Sequence, residues 1–321
     1  MWKQVVVYGL LLAVGTLALQ WLDYQRETGA QIDIAEYARL FRVDPAKATA
    51  ALKRPRVPRA VERDLLEHGP KELADLIRHW DALETSALEQ EIFAQRKRVA
   101  DAERKLRTKP TKAAQNDVRI GTGKVEKALA RLEALRRRES RDADFRIYPG
   151  YYAPVVVSEH GVRTTRLMRY QCRPAGKPAF YDTKFPGTYN ARRDSLDGFW
   201  KPQFGHSHGL MIATRFYENV AGPDGRNKVL EFIPKDGAPM LIACLWSRWT
   251  DPTGQAPDLL SFAAITDAPE PEVAAAGHDR TIINLKPAHV DAWLEPGGDL
   301  AALNAILDDK AHPYYEHREA A

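Results

Sequence analysis

The sequence predicts an α+β fold: a mostly antiparallel, barrel-like sheet with peripheral helices, an inserted antiparallel helical hairpin, and an apolar helix at the N-terminal end. Three observations carry this. From about Asp144 onward, short apolar or alternating runs separated by Gly, Pro, Asp and Asn read as strands. Ahead of them, two long stretches keep apolar residues at helical spacing on either side of a polar break. Residues 5–22 form an uninterrupted apolar run without a single charge.

The expected layout is an anchor over residues 1–22, an N-terminal helical part over 23–70, a basic helical hairpin over 71–141 and a sheet domain over 142–321. The first run is close to the length that crosses a bilayer, with Trp2 and Trp21 at its ends as interfacial aromatics. It has no small-x-small cleavage site, so an uncleaved membrane anchor is expected. Residues 31–53 read as helix, with Asp33 as cap and Ile34, Tyr37, Ala38, Leu40 and Phe41 as its apolar face. A long helix follows from Lys71 to about Leu106. Pro110, Gly121 and Gly123 predict a break over 108–123, and a second helix carries Val125, Ala128, Leu129, Leu132 and Leu135.

Strands are expected at 153–157, 165–170, 209–217, 229–233, 240–246, 261–266 and 281–285, and helices around 195–204, 270–275, 287–293 and 300–308. Lys and Arg total 47 against 43 Asp and Glu, a mild excess of +4 that is concentrated in the first half. The hairpin cations, from Arg96 to Arg138, read either as nucleic-acid backbone contacts or as a solvated surface balanced by Glu89, Glu91, Asp101 and Glu103. Gly121-Thr122-Gly123-Lys124 lacks the first glycine and the preceding strand of a phosphate loop. Cys172 and Cys244 are the only cysteines, which excludes a disulfide framework or a multi-cysteine zinc site.

Thr188 to Asp194 concentrates the chemistry: Tyr189, Asn190, Arg192 and Arg193 within a few residues. Glu218 ends an apolar strand and His278 follows Gly277. An amide, a carboxylate, an imidazole and several guanidinium groups suit an anionic substrate and proton transfer. The bland alternatives are a solvated strand-end Glu218 paired with Arg215, and a loop His278 bonded to backbone. His206 and His208 share a side of a would-be strand but have no evident third ligand, so no metal is expected.

The order of short motifs resembles one family. Y-A-P-V-V-V at 152–157, L-M-R-Y at 167–170, Y-N-A-R at 189–192, F-W at 199–200, F-Y-E at 216–218, A-C-L-W at 243–246, F-A-A-I-T at 262–266, H-D-R at 278–280 and W-L at 293–294 resemble the SOS response-associated peptidase (SRAP), or abasic-site processing, family. The hairpin and residues 32–41 resemble a longer bacterial branch of it. The resemblance implies an SRAP-like fold, no cofactor, and binding to single-stranded DNA with abasic sites, in the bacterial cytoplasm or nucleoid.

It also implies catalytic roles for Asn190 (positioning the nucleophile), Glu218 (moving protons during sugar ring opening) and His278 (acid–base work on an imine). Contacts to DNA are implied for Arg169, Tyr189, Arg192, Arg193 and Arg280. A monomer is expected, tethered to the inner membrane if 5–22 spans it. The family's nucleophile is a cysteine directly after the initiator methionine, whereas position 2 here is Trp. A thiazolidine crosslink by that route is therefore not expected, and reversible imine chemistry with strand cleavage is the remaining activity. The rival readings are a non-catalytic, membrane-tethered DNA-binding module and a self-processing peptidase.

Overall fold

Backbone ladders define the architecture in a computed structural model that describes residues 11–13, 29–42, 54–222, 225–254 and 256–320. The elements in chain order are β1 (Leu11–Ala13), β2 (Gln31–Ile32), α1 (Ile34–Phe41), α2 (Arg59–His68), α3 (Lys71–Thr108), α4 (Lys112–Arg136), β3 (Arg146–Ile147), β4 (Tyr152–Glu159), β5 (Val162–Tyr170), α5 (Tyr181–Lys184), β6 (Asn190–Arg192), β7 (His208–Ala213), β8 (Arg215–Ala221), β9 (Asn227–Pro234), β10 (Met240–Trp249), β11 (Leu259–Asp267), α6 (Pro271–Ala275), β12 (Thr281–Ile282), α7 (Val290–Leu294), α8 (Leu300–Asp308) and β13 (Tyr315–Glu319). They form two compact units, one of Met1–Leu40, Pro55–Asp64 and Asp142–Ala321, the other of Phe41–Arg54 and Leu65–Arg141.

The first unit holds two sheets. One runs β12-β11-β10-β7-β4-β5-β2, and β11 also pairs β5 in parallel, Ser261 opposite Arg169 and Phe262 opposite Tyr170. That last pairing closes β11, β10, β7, β4 and β5 into a five-stranded barrel, which leaves those strands no free edge. Its core is drawn from short apolar runs: Val155, Val157, Met168, Met211, Ile242, Cys244, Phe262 and Ala264 are fully buried. Gly209 on β7 is there for space, since a Cβ would come within 2.8 Å of Val155 Cγ1. The other sheet runs β13-β9-β8-β1-β3. Phe216 on β8 stacks on Phe232 at 5.0 Å and meets the edge of Tyr315 at 5.1 Å.

The second unit is the hairpin. Ile92, Ala128 and Leu132 bury a seam between α3 and α4, with Leu88 and Val125 against it. The cations of the stem face carboxylates across it: Arg98 with Asp117, Lys124 with Glu91, Arg136 with Glu89, and Arg131 in a two-bonded fork on Glu84 at 2.6 and 2.9 Å. Burial alone would push the Glu84 carboxyl up, but Arg131 and Arg54 hold it below its ordinary range.

Several expectations are corrected here. Gly121 and Gly123 do not break the hairpin. α4 starts at Lys112, behind Pro110 and with Thr111 capping it through the Ala114 N–H. Gly121 is a contact glycine, because its Cβ would lie 2.6 Å from the Val99 side chain of α3. Residues 195–204 make a 3₁₀ turn and further turns in place of a helix. The expected helix over 31–53 is a two-residue strand followed by α1. Asp33 does cap it, accepting from the Glu36 N–H at 3.0 Å, and 43–53 lie outside the described residues. Within the apolar run of 5–22, Leu11–Ala13 form a strand between β3 and β8, and the rest of that run lies outside the described residues. Among the described residues no helix is long and apolar enough to cross a membrane.

Candidate active site

Strand alternation decides what Glu218 can reach. On β8, Arg215 and Tyr217 share one face and both bond Glu231, at 2.6 and 3.0 Å. Phe216 and Glu218 take the opposite, inward face. Arg215 is thereby unavailable to Glu218, whose side chain is 3% exposed and meets His278 instead, with Nε2 at 3.0 Å from Oε2. The approach is close but poorly aligned, so Oε2 lacks a hydrogen bond of good geometry.

His278 is set by its loop. Gly277, at φ +96°, turns the chain in a conformation that costs glycine little. The His278 N–H then bonds the Val273 carbonyl at 3.2 Å, tying the loop to α6. Its Nδ1 donates to the Arg280 carbonyl at 2.9 Å, which points Nε2 at the carboxylate. Burial raises the Glu218 pKa, and the bond and charge of His278 offset it only in part. Burial works against the His278 imidazolium, but the Glu218 bond and charge outweigh it, and the net direction is up. The two groups thus share one proton across 3.0 Å, each with its pKa displaced upward.

Asn190 opens β6, which lies parallel to β11 with Asn190 opposite Ala264. It joins the pair through Tyr170, the last residue of β5, whose hydroxyl donates to Asn190 Oδ1 at 3.4 Å. Tyr170 is fully buried, stacked on Phe262 at 5.1 Å and edge-on to Tyr189 at 5.7 Å. Burial, then the neighbouring Tyr189 and Glu218 charges, lift its pKa well above the usual phenol range. Tyr189 is pushed up to about 12, first by burial and then by Glu218. Both phenols are therefore hydrogen-bond donors at neutral pH. Tyr170 carries a role that L-M-R-Y in the sequence did not disclose; a tyrosine ending a strand of an apolar barrel was the available signal.

The arginines divide. Arg192 is exposed and bonds Asp194 at 3.2 and 2.7 Å, and Arg280 is held by Asp279 at 3.3 Å. The charge of Arg280 acts on Glu218, on Tyr189 and on Asp194 alike, so it sits at the rim of the pair. Arg193 instead bonds Asp267 at 3.2 Å, the Leu307 carbonyl and Asp308, fastening β6 to β11 and α8. Arg169 shares Asp182 with Arg173 and bonds the Gln171 carbonyl. Those two guanidinium groups brace the frame around the site.

His208 bonds the Trp293 carbonyl and the Gly205 N–H, and burial pushes its pKa down to about 3. Cys172 and Cys244 are fully buried; burial raises Cys172 to about 12 and Cys244 further still. Neither thiol is a nucleophile in the folded chain.

A family model described as SOS response associated peptidase (SRAP) matches residues 107–319. No curated protein gives a significant match. Among solved structures, a protein from Bordetella bronchiseptica is 19% identical with a TM-score of 0.44, covering 55% of this chain and 87% of its own. A Bacteroides thetaiotaomicron protein is 15% identical at 0.46, covering 55% and 78%. A phage-related protein from Bordetella bronchiseptica is 18% identical at 0.44, covering 58% and 85%.

Proposed function

Because the chain belongs to the SOS response-associated peptidase family, which ties it to the response to DNA damage, we propose that it binds single-stranded DNA at abasic sites and carries out imine chemistry there. The observation that carries this reading is the buried Glu218–His278 pair at 3.0 Å, with the charge of Arg280 acting on it and with Tyr170, which bonds Asn190, within reach of the Glu218 charge. An abasic sugar in its open form presents an aldehyde beside a phosphate on each side. Guanidinium groups match phosphate oxygens in two-bonded geometry, which suits Arg192 and Arg280 to the flanking backbone.

The chemistry needs proton traffic. A neutral amine attacks the aldehyde carbon, the carbonyl oxygen takes up a proton, and the carbinolamine then loses water as a second proton arrives on its hydroxyl. An imidazolium at His278 supplies that proton, and Glu218 takes the one released from nitrogen. Asn190, fixed by Tyr170, orients the reacting group. Loss of the C2′ proton from the imine then expels the 3′ phosphate, and the strand is cut. With both cysteines buried and protonated, the reading is a reversible imine and lyase activity.

Borohydride reduction in the presence of an abasic single strand tests it, since it converts an imine to a stable amine. Trapping is expected with the native chain and is expected to fall at least about a hundredfold in Glu218→Gln and His278→Asn, the scale of lost acid–base catalysis. Undiminished trapping in both variants would refute the assignment. Salt-dependent binding of the strand is expected alongside, and Arg192→Ala is expected to shallow that dependence.

A further inference from the structure

We propose that Phe180, Tyr181, Phe185 and Phe199 form a platform on which bases of the bound single strand stack, with Lys177, Lys184 and Lys201 along its backbone. This rests on the DNA reading above and says where the bases beside the reacting sugar are held.

Phe180 is 61% exposed, Phe185 40% and Phe199 42%. A lone exposed ring needs no account, but Phe185 and Phe199 belong to one cluster through Tyr181, and Phe180 directly precedes Tyr181 in the chain. Tyr181 lies 4.3 Å from Phe185 and runs within 11° of parallel to Phe199 at 6.3 Å. Phe199 rests its edge on the buried Trp200 at 4.9 Å. The support beneath is stiff. Asp182 of α5 is clamped by Arg169 and Arg173, its carbonyl accepts from Gln171 Nε2 at 3.0 Å, and the Lys177 carbonyl accepts from the Trp249 indole. The rings are presented and held, and no core is formed by them.

The charges select the occupant. Lys177 stands 5.8 Å from the Tyr181 ring and Lys184 5.5 Å from the Phe185 ring, and Lys201 is exposed beside Trp200. Of the acids on this stretch, Asp182 is engaged by two arginines and Asp194 by Arg192, and Asp197 is the exposed remainder. Flat π-faces interleaved with cations suit a polyanion that carries flat bases. One short turn of chain links the platform to Asn190. The Thr188 N–H bonds the Phe185 carbonyl and the Asn190 N–H bonds that of Gly187, so Phe185 turns straight into Tyr189-Asn190. Beyond Asn190, the Trp200 N–H bonds the Ser195 carbonyl at 3.1 Å, closing the turn that carries Phe199.

The test uses the full chain and two strands of equal length. One carries bases, including 2-aminopurine next to a single abasic site, and the other is abasic throughout. Phe185→Leu and Phe199→Leu keep apolar bulk but remove the ring. Each is expected to weaken binding of the base-carrying strand on the order of tenfold and to relieve 2-aminopurine quenching, with the base-free strand unaffected. Phe185→Trp is expected to restore both signals. Equal weakening on both strands, or no weakening, overturns the platform while leaving the imine chemistry standing if borohydride trapping persists. A native chain that binds neither strand overturns the platform and the DNA reading together.

Discussion

His278→Ala exposes the physics of the central pair most directly. It leaves Glu218, 3% exposed, facing two tyrosines with its 3.0 Å partner gone. Breaking one side of a buried charge pair costs about 3–5 kcal/mol. The pH dependence is sharper than that range. A buried carboxyl that escapes the cost by staying protonated destabilises the fold by about 1.4 kcal/mol for each pH unit above its unfolded value, which is near 4.5. Between pH 5 and pH 8 this amounts to at most about 4 kcal/mol, comparable with the cost of the lone charge.

Urea unfolding of His278→Ala should therefore show stability falling as pH rises across that window. Glu218→Gln/His278→Ala, which has nothing to titrate there, should stay flatter and be the more stable of the two at pH 8. The native pair leans the same way. The raised Glu218 contributes stability that is complete below about 4.5, and the raised His278 one that is complete below about 6.5, and each is lost as pH rises through its folded value. If His278→Ala and the double variant run parallel from pH 5 to 8, Glu218 is solvated or otherwise neutralised, and the relay argument fails with it.

Other outcomes follow from single contacts. Arg193→Gln should lower stability by about 1–3 kcal/mol, since it strips donors from Asp267, Asp308 and the Leu307 carbonyl, yet leave the salt slope of DNA binding unchanged; a shallower slope would return Arg193 to the DNA. Leu132→Ala opens the hairpin seam and should cost about 2–4 kcal/mol by urea unfolding. Gly209→Ala drives a methyl into Val155 and should cost about 1–3 kcal/mol in the same assay. A thiol reagent should label Cys172 and Cys244 only at the rate of unfolding, because both are fully buried; fast native labelling would reopen cysteine chemistry.

What could be read beforehand differs by the range of the physics involved. The barrel strands were legible because each is a short apolar or alternating run bounded by turn residues, and α8 because Asp299 caps an apolar helical period, accepting from the Ala301 and Ala302 N–H groups. β6 and β13 were not. β6 is three residues long and takes its hydrogen bonds from β11, far along the chain. β13 is an edge strand, Y-E-H-R-E, with one buried residue and no periodic signal. The glycines of α4 misled for a related reason: Gly121 reads locally as a breaker, and only the approach of Val99 from the other helix shows what it is for.

The site divides along the same line. That Glu218 and Arg215 lie on opposite faces of β8 follows from a period of two once the strand is granted, so the pairing of those two residues was excludable in advance. That the vacancy is filled by His278 was not, because it depends on a loop turned by Gly277 and brought beside β8 by the fold. The arginines make the point again. Arg169, Arg192, Arg193 and Arg280 are alike in sequence, and what separates rim from brace is where Asp182, Asp267 and Asp308 lie in space. A guanidinium already held by several partners, among them the half-buried Asp182 or Asp267, would have to give up those bonds to bind a phosphate. Arg192 and Arg280, each leaning on an exposed neighbour in its own loop, would give up much less. On the proposed reading the arginines differ in the cost of changing partners, and the salt slope of DNA binding is the measurement expected to separate them.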